Sequence, residues 1–554
     1  MKRVTRSLVI SLATSAMWLS GGDAFAWQNG PGGPVDQERS CLALENLANL
    51  TILSAKVIEA NGSTPRYCYV RGLISPAIHY HVQLPFADKW NGRFLMWGDG
   101  GQDGDLDFAD HRLAQGYAVA NSNSGHDEGS EPGSTYAFNN RQGEIDFAYR
   151  AVHLTVNAAR TMVEAYYRKA PQRSYFEGCS TGGRQGLMEA QRFPNDFDGI
   201  VAGAPTNFTV ENTVNRLAIL QRLFRENFAA NLASDTNGDG SLDSIKKVEM
   251  LRDAVLNKCD AVDGIRDGVI DDPLRCTFDP KVEFAAQTCS ANANRADCFT
   301  SAQLQSIEAI YQGARDSKGR RIHKGPAFGS ETAWERQIIP HAGNKLLPDG
   351  LQSSGDRLNY MFYENDPGTP PADFTDINQK LDKKKLSPEW GWWEFNVDDL
   401  ADGRGKLIID MLDAKDPNLS KFLKARNGKL ILYHGWADPQ VSPEPTVDYY
   451  KDVLTTTFAA DTQAGRERAR LFMIPGMGHC GGGAGPNTWD KLAPLVDWVE
   501  NGKAPEHLVA THGADGKVDN ERKICAYPQR AVYSGPAGGE NDRANWVQGN
   551  FTCR

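Results

Sequence analysis

Basic excess is the first thing missing from this chain. Sixty Lys and Arg face seventy Asp and Glu, a formal charge of −10. Such a balance leaves no electrostatic footprint for nucleic acid or an anionic membrane, so neither is expected as a partner. C-x-x-C pairs are absent although ten cysteines are present, which argues against zinc and redox roles. Beyond the first 26 residues no apolar run is long enough for a transmembrane helix. Internal repeats and low-complexity tracts are lacking as well, which excludes a repeat array.

What is present begins with a leader. Lys2, Arg3 and Arg6 precede an apolar stretch from Leu8 to Leu19, and Ala24-Phe25-Ala26 has the small-x-small form of a cleavage site. Residues 1–26 read as a signal peptide, and the mature chain as secreted or periplasmic. All ten cysteines follow the leader, and in an oxidising compartment they are expected in disulfides. The remaining length can bury a large core and hold two or more domains.

The stretch from Ser174 to Gly186 organises the rest. Gly178-Cys179-Ser180-Thr181-Gly182 has the G-x-S-x-G spacing of a nucleophile elbow, where glycines make room for a serine in strained backbone. Arg173 to Glu177 reads as a short buried strand, and Gly183 to Phe193 as a helix with Leu187, Ala190 and Phe193 inward. Upstream, residues 41–72 look strand-rich, Tyr80–Pro85, Arg93–Trp97 and Tyr117–Ser122 read as strands, and Asp146 to Arg168 as an amphipathic helix. Phe197 to Pro205 adds another strand, after which the alternation stops until Lys429–Gly435 and Arg470–Pro475. The fold class expected is α/β, a mostly parallel sheet covered on both faces. A large insertion interrupts it, so 27–207 and 426–554 form the core and 208–425 the insertion.

A nucleophilic serine needs a base, and the base needs an orienting carboxylate. After an elbow the acid comes first in the chain and the histidine second. Asp438 follows one late strand and His479 the other, which makes Ser180, Asp438 and His479 the expected catalytic set. Backbone N–H groups of Thr181 and of the Gly100-Gly101 loop are expected to receive the oxyanion. If Ser180 and His479 meet, Cys179 and Cys480 are neighbours, and a disulfide between them is expected.

At this point the chain resembles a known family, the tannase and feruloyl esterase family of α/β-hydrolases. Cys179-Ser180, Asp438 and His479-Cys480 match its serine, acid and His-Cys pattern. Asp146–His153, Ser174–Gly186, Ala190–Pro194 and Phe197–Pro205 are similar to its other segments, so the likeness runs over nearly the whole mature chain. The family includes fungal tannases, feruloyl esterases and a bacterial hydrolase of mono-hydroxyethyl terephthalate, all cleaving esters of aromatic acids. The resemblance implies an α/β-hydrolase core with the insertion as a lid, and a small-molecule aromatic ester as substrate. It also implies a structural calcium held by Asp260, Asp263, Asp267 and the carbonyls of Ile265 and Val269. The residues suit a hard cation: three aspartates with interleaved glycines lie between Cys259 and Cys276.

The pairings 259–276, 289–298, 525–553 and 41–68 rest on nearness in sequence and on the same resemblance. In the lid, Trp390, Trp392, Trp393 and Phe395 are candidates to stack on the acyl ring, with lid core as the alternative role. A feruloyl- or galloyl-type ester is the expected substrate. A terephthalate monoester is the alternative, and Arg336, Arg357 and Arg404 are candidate cations for its free carboxylate. An inactive hydrolase fold that binds a ligand, and a serine peptidase, are the competing classes. Asp235 to Asp243 resembles the start of an EF-hand loop, but Lys246 stands where the bidentate glutamate belongs.

Overall fold

Short apolar runs become nine strands of one sheet. They are β1 (Thr51–Ile58), β2 (Tyr67–Ile74), β3 (Ile78–Pro85), β4 (Arg93–Trp97), β5 (Ala118–Ser122), β6 (Arg173–Cys179), β7 (Gly199–Gly203), β8 (Lys429–Gly435) and β9 (Ala469–Ile474). This computed structural model describes residues 36–224, 230–234, 244–335, 337–339, 354–363, 395–459, 461–514 and 517–554. The leader, the stretch 235–243, Arg336, Trp390, Trp392 and Trp393 lie outside the described residues.

The strand order is β1-β2-β3-β5-β4-β6-β7-β8-β9. β1, β2, β3 and β5 pair antiparallel, and every pair from β5 through β4 to β9 is parallel. The sheet is therefore mostly parallel, as the alternation of strands and helices predicts. Both faces are buried, which is what near-continuous apolar strands require. Phe94, Met96, Phe176, Ala202, Leu430 and Leu432 face one layer, while Leu95, Tyr175, Val201, Ile431 and Tyr433 face the other.

Two details depart from the sequence reading. Residues 37–43 are helical rather than extended; Cys41 and Leu44 are both buried, a three-residue spacing that belongs to a helix and not to a strand. The long helix begins a turn before Asp146. Arg141–Ile145 is α-helical, Asp146–Arg150 forms a π turn, and Ala151–Tyr167 continues as α-helix. A π turn displaces carbonyls from the regular ladder, and buried Arg184 reaches two of this stretch, Ala148 O at 2.7 Å and Phe147 O at 3.0 Å. That contact fixes the long helix onto the helix Thr181–Arg192 behind the elbow.

β7 and β8 are hydrogen-bonded neighbours, with Ile200 opposite Leu430, so the chain between them leaves the sheet and returns. Its apolar residues form their own cluster, including Leu251, Ile307, Trp334, Tyr360 and Phe395, which also takes in Tyr136, Ala137, Phe147 and Ala148 from the N-terminal part. After β9 the chain adds the helix Ala493–Asn501 and a hairpin of β10 (His507–Ala514) and β11 (Lys517–Cys525). β12 (Ala531–Tyr533) pairs with β13 (Phe551–Cys553). Bridges join Cys41 to Cys68, Cys179 to Cys480, Cys259 to Cys276, Cys289 to Cys298 and Cys525 to Cys553.

Candidate active site

β6 ends at Cys179 and the next helix starts at Thr181, which leaves Ser180 alone in the turn. Its φ of 62° and ψ of −119° are rarely adopted by a side-chain-bearing residue. The turn closes because its glycines lack side chains: a Cβ on Gly182 would lie 2.7 Å from the Asp99 carbonyl oxygen. The loop after β4 is thereby pressed against the elbow, and Thr181 Oγ1 donates to Gly101 O at 2.7 Å. Gln185, one turn along, receives Asp99 N–H at 3.2 Å and donates to Asp103 Oδ2 at 2.8 Å.

The ends of β8 and β9 bring up the other two groups. His479 Nε2 lies 2.8 Å from Ser180 Oγ, and His479 Nδ1 lies 2.6 Å from Asp438 Oδ2. A Cβ on Gly435 would sit 2.2 Å from Met477 O, so glycine lets the acid loop and the histidine loop abut. The Cys179–Cys480 bridge spans the same junction, one residue from Ser180 and one from His479. Ser180, Asp438 and His479, 299 residues apart at the extremes, thus form one hydrogen-bonded chain.

Asp438 is fully buried, and its second oxygen receives Gln440 N–H at 2.8 Å and Val441 N–H at 3.0 Å. Burial works to raise its carboxyl, but His479 and His434 overcome that and hold it well below the usual carboxylate range. His434 was not singled out in the sequence. Its Nε2 lies 3.1 Å from Asp438 Oδ2 and 3.0 Å from Val441 O, and its Nδ1 lies 2.8 Å from Thr446 Oγ1. Two acceptors at Nε2 place the proton there, so His434 donates to the acid. The signal was a lone histidine inside the apolar run Leu430-Ile-Leu-Tyr-His434, which invites reading as a core residue.

The acidic stretch of the insertion closes on an arginine from β11. Arg522, fully buried, lies 2.6 Å from Asp267, 3.0 Å from Asp271 and 3.5 Å from Asp263. Asp260 accepts from Asp267 N–H and Gly268 N–H at 3.2 and 3.1 Å. Burial raises Asp260 to about 6, Asp263 to about 7 and Asp271 to about 6. Four carboxylates facing one guanidinium, with Asp263 Oδ2 lacking a hydrogen bond, fit a hard divalent cation taking oxygen ligands. Ile265 and Val269 are buried in the same turn, each donating its N–H to an aspartate two residues earlier.

Phe395 is 3% exposed, with its ring 5.2 Å from that of Phe362 and 6.3 Å from that of Tyr363. Arg404 pairs at 3.5 Å with Asp399. Arg357 donates to Gln102 Oε1 at 2.7 Å and to Thr213 Oγ1 at 3.4 Å, and its buried Nε has no partner.

Sheet order and elbow are those of an α/β-hydrolase. The family model for tannase and feruloyl esterase matches residues 63–547, and the chain belongs to that family. A probable feruloyl esterase B of Aspergillus niger is 32% identical over 506 residues, covering 87% of this chain and 86% of that protein. Mono(2-hydroxyethyl) terephthalate hydrolase of Piscinibacter sakaiensis is 29% identical over 548 residues, covering 89% and 86%. The crystal structure of feruloyl esterase B from Aspergillus oryzae matches with a TM-score of 0.74 at 24% identity, over 94% of this chain and 100% of that one. Family and relatives make the chain a carboxylic ester hydrolase. No helix among the described residues is long and apolar enough to cross a membrane.

Proposed function

We propose that the chain is an exported serine esterase that hydrolyses esters of aromatic acids, of feruloyl or galloyl type, through an acyl-enzyme. The observation that carries this reading is the chain Ser180 Oγ–His479–Asp438 at 2.8 and 2.6 Å. His479 Nε2 takes the Ser180 proton as Oγ attacks the ester carbonyl, and returns it to the leaving alkoxide. Asp438 orients the imidazole and stabilises its charged form; His434 fixes Asp438. Thr181 N–H and the Gly100-Gly101 backbone receive the developing oxyanion. Water, activated by the same histidine, then releases the aromatic acid. The family name and both relatives point to aromatic acyl groups. Trp390, Trp392 and Trp393 are assigned the ring-stacking wall, whereas Phe395 packs against Phe362 and Tyr363.

Calcium belongs to the lid in this reading, held by Asp260, Asp263, Asp267 and the carbonyls of Ile265 and Val269. It supplies counter-charge to the buried carboxylates and takes no part in bond breaking. A cation bound only by the folded chain adds about 2.7 kcal/mol at a hundredfold excess over its dissociation constant. Chelation should therefore lower the melting temperature first; immediate loss of activity without a thermal shift would make the metal catalytic.

A second reading, cleavage of an ester whose acid keeps a free carboxylate, is favoured by Arg357. Among the described residues it has no carboxylate within ion-pair distance, and Gln102 ties it to the loop beside the elbow. Arg216 stands close by; burial lowers it to about 10, with Arg357 repelling it and Asp438 attracting it. Rates on methyl ferulate, methyl gallate, mono(2-hydroxyethyl) terephthalate, an acetyl ester and a peptide test the whole reading. Preference for the aromatic esters, abolished by Ser180→Ala, supports it. Turnover retained in Ser180→Ala, or turnover of the peptide alone, overturns it.

A further inference from the structure

The loop after β4 reads Asp99-Gly-Gly-Gln-Asp103-Gly-Asp105-Leu-Asp107, and its charge has no use in the ester chemistry above. Carboxylate oxygens of Asp99, Asp105 and Asp107 converge within 4.8 Å of one another. No ion pair to any of the three occurs among the described residues. Asp99 is 6% exposed, and its Oδ2 is buried without a hydrogen-bond partner; the other oxygen receives Gly100 N–H at 2.7 Å. Three carboxylates this close repel one another unless a proton or a cation lies between them. Asp105 is exposed, so the group is open to solvent ions.

We propose that Asp99, Asp105 and Asp107 bind a divalent cation of the hard, oxygen-seeking class, at a site separate from the calcium loop of the insertion. All three ligand oxygens are carboxylate, and no histidine or thiol joins them, which is the donor set of calcium, magnesium or manganese rather than of zinc or copper. The scaffold holds the ligands in place beforehand. Asp99 N–H donates to Gln185 in the helix behind the elbow, Asp107 N–H donates to Asn121 Oδ1 at 2.9 Å, and Asp107 O lies 2.9 Å from His81 Nε2. The cation would join both ends of the loop that carries Gly100 and Gly101, and so hold that loop against the elbow, where Thr181 Oγ1 already donates to Gly101 O.

The test is a titration of the full chain, stripped of metal by chelation, with Ca2+ and separately with Mn2+. The parent should bind one equivalent more than Asp105→Asn/Asp107→Asn. It should also bind one more than Asp260→Asn/Asp263→Asn, and the two losses should add. Anomalous scattering from Mn2+ in crystals of the parent should show a peak between Asp99 and Asp107. In Asp105→Asn/Asp107→Asn, kcat on an aryl ester should fall about tenfold, less than the roughly 100-fold cost of losing an oxyanion donor outright. That last measurement rests on the serine-esterase reading, whereas the binding arms do not. A parent that titrates like Asp105→Asn/Asp107→Asn, or a crystal with no Mn2+ peak there, overturns the proposal and leaves Asp99 and Asp107 sharing a proton.

Discussion

Asp438 in the core and Glu331 in the insertion are both buried carboxylates, yet their surroundings drive them in opposite directions. Asp438 faces two histidines and two backbone N–H groups, and stays far below the usual carboxylate range in spite of burial. Glu331 receives the Tyr311 hydroxyl and Gly329 N–H but forms no ion pair among the described residues, and burial lifts it to about 7. Asp356, in the same insertion, is also lifted to about 7 by burial. The contrast is one of counter-charge. Parallel strands end together, so His434 near the end of β8 and His479 in the loop after β9 meet on one acid, and the site is polarised in advance. The insertion leaves Glu331 buried without an ion pair among the described residues, which makes its stability depend on pH.

The largest effect should come from breaking the core arrangement. Asp438→Asn keeps the shape but loses the charge that orients and stabilises the imidazole, and kcat should fall by about 10⁴-fold. Steady-state rates on an aryl ester measure it; a loss under tenfold would give Asp438 a turn-forming role only. In the insertion the corresponding change is Phe395→Ala, whose ring is buried among Phe362 and Tyr363. Emptying such a site costs about 3–5 kcal/mol, and rates on an aromatic and an acetyl ester should fall together as the insertion loosens. Selective loss on the aromatic ester would move Phe395 to the substrate wall. Next in size comes Cys179→Ala/Cys480→Ala, at the junction of elbow and histidine loop. It removes the tie between elbow and histidine loop and should lower stability by about 2–5 kcal/mol, read as a lower melting temperature. An unchanged melting temperature would mean that the parallel sheet alone holds the two loops together.

How much of this the sequence revealed follows the same division. The G-x-S-x-G turn, the acid and the histidine were legible because each sits at the end of a strand and the order along the chain is fixed by the fold. Leu187, Ala190, Val152, Val156 and Val163 repeat at helical spacing and are buried as read. Contacts that join distant segments left no such trace. Arg522 lies in an alternating strand and nothing near it in sequence announces Asp263, Asp267 and Asp271. His434 hides in an apolar run, and Gln185 looks like any polar residue on a helix, although it joins the elbow helix to the loop after β4. The antiparallel extension β1-β2-β3 was visible as strands but not as an extension of the same sheet, since pairing partners are not written in a strand's own pattern.

The smallest effect, and the one that separates insertion from core most cleanly, concerns pH. Burial lifts Glu331 to about 7 in the folded chain against an ordinary value of about 4.3 for a glutamate. A raised carboxyl favours folding in its protonated form. Its contribution is complete below the unfolded value and is lost as pH rises through the folded one. Between those limits one proton changes stability by at most about 1.4 kcal/mol per pH unit. Glu331→Gln keeps the size and an acceptor for the Tyr311 hydroxyl but has no proton to lose. At pH 5 the variant and the parent should therefore unfold at nearly the same urea concentration, whereas at pH 8 the variant should be the more stable. Asp438 carries the opposite sign: depressed in the folded state, it lends stability at neutral pH that disappears only in strong acid. Parallel stability curves for Glu331→Gln and parent from pH 5 to pH 8 would show that the insertion compensates its buried acid as fully as the core does.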